Sequence, residues 1–158
     1  MRISRQQMFM LMSRAAAMRS TCFRLNVGAI VVVGNRPVSV GYNGAPSGEP
    51  HCAGNACPGR HHCRQTIHAE TNALKHVPED LKDTDWDLYV THSPCSECAD
   101  LIVGGRPGLI RPPVKRVFFE VPYRKTEHLD NLAKNVELYQ VTPAGYVVEW
   151  VTGEVVTL

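Results

Sequence analysis

One imidazole and two thiols make up the donor set of a zinc site that keeps its fourth position for water. The chain offers that set as His68, in Thr66-Ile67-His68-Ala69-Glu70, and as Cys95 and Cys98, in Ser93-Pro94-Cys95-Ser96-Glu97-Cys98. Glu70, two residues after the histidine, is a carboxylate able to handle the protons of such a water. A lone C-x-x-C would suit a closed structural zinc site equally well. Here H-x-E opens a helical pattern and no fourth ligand is spaced to close the tetrahedron locally, which favours the catalytic reading. In isolation Glu70 would be an ordinary helix-start glutamate favoured by the dipole; its spacing from His68 favours the proton-carrying role. Two thiolates and a neutral imidazole bring the charge of a zinc complex near zero, so the metal polarises water less strongly than in an all-histidine site and a base must help.

Both halves of this group need helix starts behind them. From Ile67 the apolar residues Ala69, Ala73, Leu74 and Val77 recur at helical spacing until Pro78, which predicts a helix with His68 and Glu70 in its first turn. Trp86 to Val90 reads as a strand. Ser93 is then expected as an N-cap with Pro94 at the first helical position, placing Cys95 and Cys98 on one face of the opening turn. Free N–H groups and partial positive charge at a helix start lower thiol pKa values, so both cysteines can bind metal as thiolates.

Residues 3 to 19 predict an amphipathic helix whose apolar side carries Ile3, Met8, Leu11, Met12, Ala15, Ala16 and Met18. Val27 to Val33, the turn Gly34-Asn35 and Val38 to Tyr42 predict a β-hairpin. Further along, Val114 to Val121 reads as a strand, Thr126 to Lys134 as a short helix and Val136 to Val141 as the last core strand, with Tyr146 to Val151 as an added edge strand. The order predicts an α/β layered domain with a mixed sheet, one domain over residues 1–158.

A long glycine- and proline-rich loop is expected from about residue 43 to 65, and Cys52, Cys57, His61, His62 and Cys63 suggest that a metal pins it. With histidines interleaved among the six cysteines, metal binding is a better reading than disulfides. A surface loop is expected between Gly104 and Pro113. The formal charge is +2, from 17 basic and 15 acidic residues scattered along the chain. There is no basic stripe of the kind that long nucleic acids require. Arg14 and Arg19 interrupt the apolar residues that follow Met8, and no stretch approaches the length of a membrane span, so a soluble, cytoplasmic protein is expected.

The motifs His68-Ala69-Glu70 and Pro94-Cys95-Ser96-Glu97-Cys98 resemble those of zinc-dependent deaminases. With Val27-Gly28-Ala29, the loop Gly41-Tyr42-Asn43-Gly44-Ala45-Pro46-Ser47-Gly48, His51-Cys52 and His62-Cys63, the chain from about Cys22 to Tyr123 resembles the deoxycytidylate deaminases of the cytidine deaminase superfamily. The resemblance implies a three-layer α/β/α fold on a mixed five-stranded sheet. It also implies zinc-dependent conversion of dCMP to dUMP, supplying thymidylate synthesis. It makes Asn43 a contact to the deoxyribose and Tyr123 a contact to the base or nucleotide; read without it, Asn43 is a turn residue and Tyr123 a half-buried aromatic. Arg24, Arg124 and Lys125 are candidates to hold the phosphate.

Relatives of this kind carry a second, structural zinc, which maps to Cys22 and Cys52, with Cys57, His62 and Cys63 competing for the other two places. They also form homohexamers activated by dCTP, with Mg2+ accompanying that nucleotide, and inhibited by dTTP. The effector site maps near Gly44, Ser47 and Gly48. Three other readings stay open from sequence: a deaminase of a 5-substituted dCMP or of dCTP, a transfer-RNA editing enzyme, and a zinc-stabilised interaction module in which Glu70 is dispensable.

Overall fold

Ser4 opens the first helix. Its hydroxyl accepts from the Gln7 N–H while the Gln7 side-chain oxygen accepts from the Ser4 N–H, so two end donors are satisfied reciprocally. The computed structural model describes residues 1–22, 24–51, 66–104 and 110–158. Helix α1 runs Arg5–Ala17, followed by strands β1 (Gly28–Val33) and β2 (Arg36–Tyr42). The turn between the strands places Gly34 and Asn35 at φ +54° and +61°, the left-handed pair that a tight hairpin demands. Helix α2 (Ala69–Lys75), β3 (Trp86–His92), α3 (Ser96–Val103), β4 (Val114–Val121), α4 (Glu127–Ala133) and β5 (Glu137–Val141) follow.

The sheet order begins β2-β1-β3-β4-β5. Strand β1 is antiparallel to both neighbours, while β3, β4 and β5 run parallel. Helices α2, α3 and α4 cover one face through Ala69, Ala73, Ile102, Leu129 and Leu132, packed on Val31, Leu88, Val90, Val117, Phe119 and Leu138. Helix α1 covers the other through Phe9, Met10 and Ala16, packed on Ile30, Tyr89, Phe118 and Tyr139. The expected three layers are present.

Among the described residues the sheet has seven strands rather than five. Two further hairpins extend it past β5, through β6 (Val147–Glu149) and β7 (Val155–Val156). The tail can reverse twice because Gly145 and Gly153 adopt φ +89° and +71°, and the Glu149 carboxylate accepts the Val151 and Thr152 N–H groups of the second turn.

The buried side of α1 also differs from expectation. Phe9, Met10, Ser13, Ala16 and Ala17 face the sheet, whereas Ile3, Met8, Leu11 and Met18 are exposed. Close approach is the reason. A Cβ on Gly28 would lie 1.9 Å from the Ser13 carbonyl oxygen and 2.4 Å from the Ala17 nitrogen, so only small side chains fit at the contact. Ser13 completes the seat by donating its hydroxyl to the Tyr89 carbonyl at 3.1 Å.

Helix α2 is seated by the same device in reverse. A Cβ on Gly41 would lie 2.2 Å from the Ala69 oxygen and 2.5 Å from the Ala73 nitrogen, and Ser39 donates to the Ala73 carbonyl at 2.6 Å. Asn72 on the same helix donates to the Tyr42 carbonyl. The helix carrying Glu70 is thus fixed to β2 at backbone distance.

Candidate metal centre

His68 is the N-cap of α2, with extended backbone at φ −71°, ψ 151°. Its position is set from both sides. Ile67 exchanges two backbone hydrogen bonds with Gly44, and the His68 carbonyl accepts the Asn72 N–H. Cys95 is the N-cap of α3, at φ −70°, ψ 171°, and Cys98 lies in that helix's first turn, buried. The expectation that Ser93 caps α3 is therefore corrected by two residues. Ser93 is buried, its N–H donates to the Val121 carbonyl at 2.9 Å, and its hydroxyl accepts the Tyr123 N–H at 2.7 Å. Its side chain is engaged with the end of β4 and unavailable to the helix.

The two helix starts bring three donor atoms together. His68 Nδ1 is 3.3 Å from Cys98 Sγ and 3.4 Å from Cys95 Sγ, and all three lie within 4.8 Å of one another. Tetrahedral zinc, with Zn–N near 2.0–2.1 Å and Zn–S near 2.3 Å, places nitrogen and sulfur about 3.5 Å apart. The donor set and its spacing both fit that ion.

The electrostatics describe three groups sharing protons. Hydrogen bonding from Cys98, outweighing burial and joined by His68 and the Cys98 backbone N–H, pulls the Cys95 thiol down to about 3. The Cys95 thiolate in turn holds His68 up at about 9, against burial. Cys98 is pushed up, first by its bond to Cys95 and then by burial, so it keeps its proton. Metal binding must displace protons from His68 and Cys98, which makes affinity for the ion rise with pH. Glu70, 5% exposed, is raised to about 7, mainly by burial. A carboxyl at that value exists in both protonation states near neutrality.

The remaining expected site residues are placed as follows. Asn43 is buried, with Oδ1 accepting from the Val27 N–H at 2.8 Å and the Ser20 hydroxyl at 2.6 Å, while Nδ2 donates to the Leu25 carbonyl. It staples the segment after α1 to the end of β2. Tyr123, Arg24 and Arg124 are exposed, as are Ser47 and Gly48. Gly44 is buried beneath Thr21, whose hydroxyl accepts the Ala45 N–H. Cys22 is a half-buried free thiol; Cys52, Cys57, His62 and Cys63, its expected companions on a second zinc, lie outside the described residues. Among the described residues, no helix is long and apolar enough to cross a membrane.

One contact had no sequence signal. His128 on α4 places Nε2 2.6 Å from the Pro94 carbonyl oxygen, immediately before Cys95.

The model of the family described as the cytidine and deoxycytidylate deaminase zinc-binding region matches residues 3–109. ComE operon protein 2 of Bacillus subtilis is 39% identical over 133 residues, covering 83% of this chain and 67% of the Bacillus protein. The deoxycytidylate deaminase of Schizosaccharomyces pombe is 31% identical over 149 residues, covering 85% of this chain. This chain spans only 43% of that yeast enzyme's length. The crystal structure of the dCMP deaminase of cyanophage S-TIM5 in complex with dCMP and dUMP aligns with a TM-score of 0.71 at 29% identity, over 89% of this chain and 98% of the phage chain. The matched span takes in the whole donor cluster, and the chain belongs to the cytidine and deoxycytidylate deaminase zinc-binding family.

Proposed function

We propose that this chain, as one domain, hydrolyses dCMP to dUMP with release of ammonia and so supplies dUMP for thymidylate synthesis. The observation that carries the reading is the cluster of His68, Cys95 and Cys98 at two helix starts, with Glu70 buried on the same first turn as His68. Likeness to the S. pombe deoxycytidylate deaminase and to the S-TIM5 dCMP deaminase supports the choice of substrate.

When bound, zinc supplies a Lewis acid that makes a water nucleophilic near neutral pH. The chain's own residues handle binding and protons. Glu70 accepts a proton from the attacking water and passes it to ring N3; it then moves the proton of the new C4 hydroxyl to the departing amine, so that the C–N bond breaks, ammonia leaves and a carbonyl remains at C4. Asn43 has a second Nδ2 hydrogen, beyond the one given to Leu25, to offer the deoxyribose. Tyr123, exposed two residues past β4, is the candidate contact to the base or nucleotide, and the exposed Arg24 and Arg124 are candidates for the phosphate.

The same reading includes a homohexamer with dCTP and Mg2+ as activator and dTTP as inhibitor. The loop with Gly44, Ser47 and Gly48 is a suitable receiver, because the Gly44–Ile67 bridge joins it to the residue before His68. A second zinc would be held by Cys22 with ligands from among Cys52, Cys57, His62 and Cys63.

The test is ammonia release from dCMP, 5-methyl-dCMP, 5-hydroxymethyl-dCMP, dCTP, deoxycytidine and a transfer-RNA anticodon stem-loop, each with and without dCTP and dTTP. Turnover of dCMP above the other substrates is expected. Turnover of the stem-loop alone would place the chain among editing enzymes instead.

A further inference from the structure

The two residues in front of Cys95 are gripped by a part of the chain that carries none of the metal-site motifs. Ser93 Oγ accepts the Tyr123 N–H at 2.7 Å, and His128 Nε2 lies 2.6 Å from the Pro94 carbonyl oxygen. A carbonyl can only accept, so His128 carries its proton on Nε2 and donates it. Pro94 has no N–H and Ser93 gives its own to the Val121 carbonyl. The carbonyl of Pro94, which belongs to the peptide leading into Cys95, is therefore held from outside the sheet ladder by one imidazole on α4.

We infer that Ser93 and His128 are positioning residues that brace the Cys95 backbone for the metal, with the β4–α4 connection as the strut between them. The connection carries Tyr123 and leads into α4, which carries His128 and is itself anchored in the core by Leu129 and Leu132, both buried. The strut also has a functional end, because Tyr123 is the proposed nucleotide contact. A hydrogen bond that fixes the peptide before a ligand acts like the partners around other metal sites, which orient ligands without touching the ion and whose loss typically costs about 10–100-fold in metal affinity.

The inference rests on reading His68, Cys95 and Cys98 as zinc ligands. The experiment measures zinc affinity by chelator competition, and the d–d absorption of the cobalt-substituted protein, at 25 °C. It compares the wild type with His128→Phe, His128→Gln, Ser93→Ala and Ser93→Thr, each confirmed folded by circular dichroism. His128→Phe and Ser93→Ala are expected to weaken zinc binding about 10–100-fold and to shift the cobalt bands. His128→Gln and Ser93→Thr, which keep a donor and an acceptor, are expected to restore most of the loss. A role in stability alone would lower the melting temperature and leave both metal readouts unchanged, which would overturn the proposal. Nitrogen-15 shifts of the wild-type imidazoles supply a test independent of any variant: a His128 ring without a proton on Nε2 also overturns it. A wild type that binds no zinc would instead defeat the ligand assignment, whereas tight wild-type binding that survives in His128→Phe defeats the brace alone.

Discussion

Helix α1 and the two site helices begin in different ways. α1 has a reciprocal oxygen cap built from Ser4 and Gln7, whereas α2 opens on His68, whose side chain makes no cap bond, and α3 opens on Cys95, a sulfur in place of an oxygen. An oxygen N-cap is typically worth about 1 kcal/mol over alanine. At α2 and α3 no oxygen cap is present, and the cap positions instead hold metal donors, where the first-turn dipole can favour thiolate. What holds these two starts is tertiary: the Gly41 and Ser39 seat under α2, the Gly44–Ile67 bridge, and the grip of Ser93 and His128 on the approach to α3.

The tertiary support of α2 is most vulnerable at Gly41. A methyl there would push against the backbone of α2 at Ala69 and Ala73. Gly41→Ala is expected to cost about 3 kcal/mol in denaturant unfolding and to weaken zinc binding, because α2 carries His68. Gly28→Ala presses α1 equally hard, at Ser13 and Ala17, and is expected to cost similar stability while leaving zinc affinity near wild type. Equal effects of both glycines on the metal would mean that the two seats are not separate.

A second expectation concerns the buried carboxyl of α2. In the metal-free protein Glu70 titrates at about 7, raised from 4.5 mainly by burial, so the folded chain holds a proton that the unfolded chain has already released. Its contribution to stability is present below about pH 4.5 and is lost as pH rises through 7, a difference of about 3 kcal/mol. Glu70→Gln should therefore make the metal-free protein more stable than wild type at pH 8, with the gap closing toward pH 4.5. Urea midpoints at the two pH values measure it, and a gap independent of pH would contradict the assignment.

Ser4→Ala gives the smallest effect. About 1 kcal/mol of stability should be lost with zinc affinity and turnover unchanged, since the cap it removes lies on the helix that carries no site residue.

The donor cluster was legible because ligand chemistry is written in residue types and short spacings: His68, Glu70, Cys95 and Cys98 each belong to a local motif. The five core strands were legible for a related reason, the β-branched run of β1 and the short stretches of Val, Leu, Phe and Tyr in β2 to β5. What escaped was set by contacts between distant segments. The inner face of α1 follows from backbone approach at Gly28, which selects Ser13, Ala16 and Ala17 over the bulkier Met8 and Leu11. Ser93 looked like a cap because it precedes proline, yet its hydroxyl is engaged by Tyr123, thirty positions on. Asn43 sits in a recognisable motif, but that its side chain bonds to Ser20, Leu25 and Val27 could not be read from neighbours in the chain. Strand β7, two residues long, is too short to show alternation.

The most direct test of the site is dUMP formation from dCMP by wild type and Glu70→Gln, with zinc content measured on the same samples. Equal zinc content is expected in both proteins, because His68, Cys95 and Cys98 are unchanged, with turnover lower in the variant by roughly 10²–10⁴-fold, the range for loss of a positioned acid–base group. A Glu70→Gln protein that binds zinc and turns over dCMP at the wild-type rate would contradict the proton-carrying role at the centre of this site.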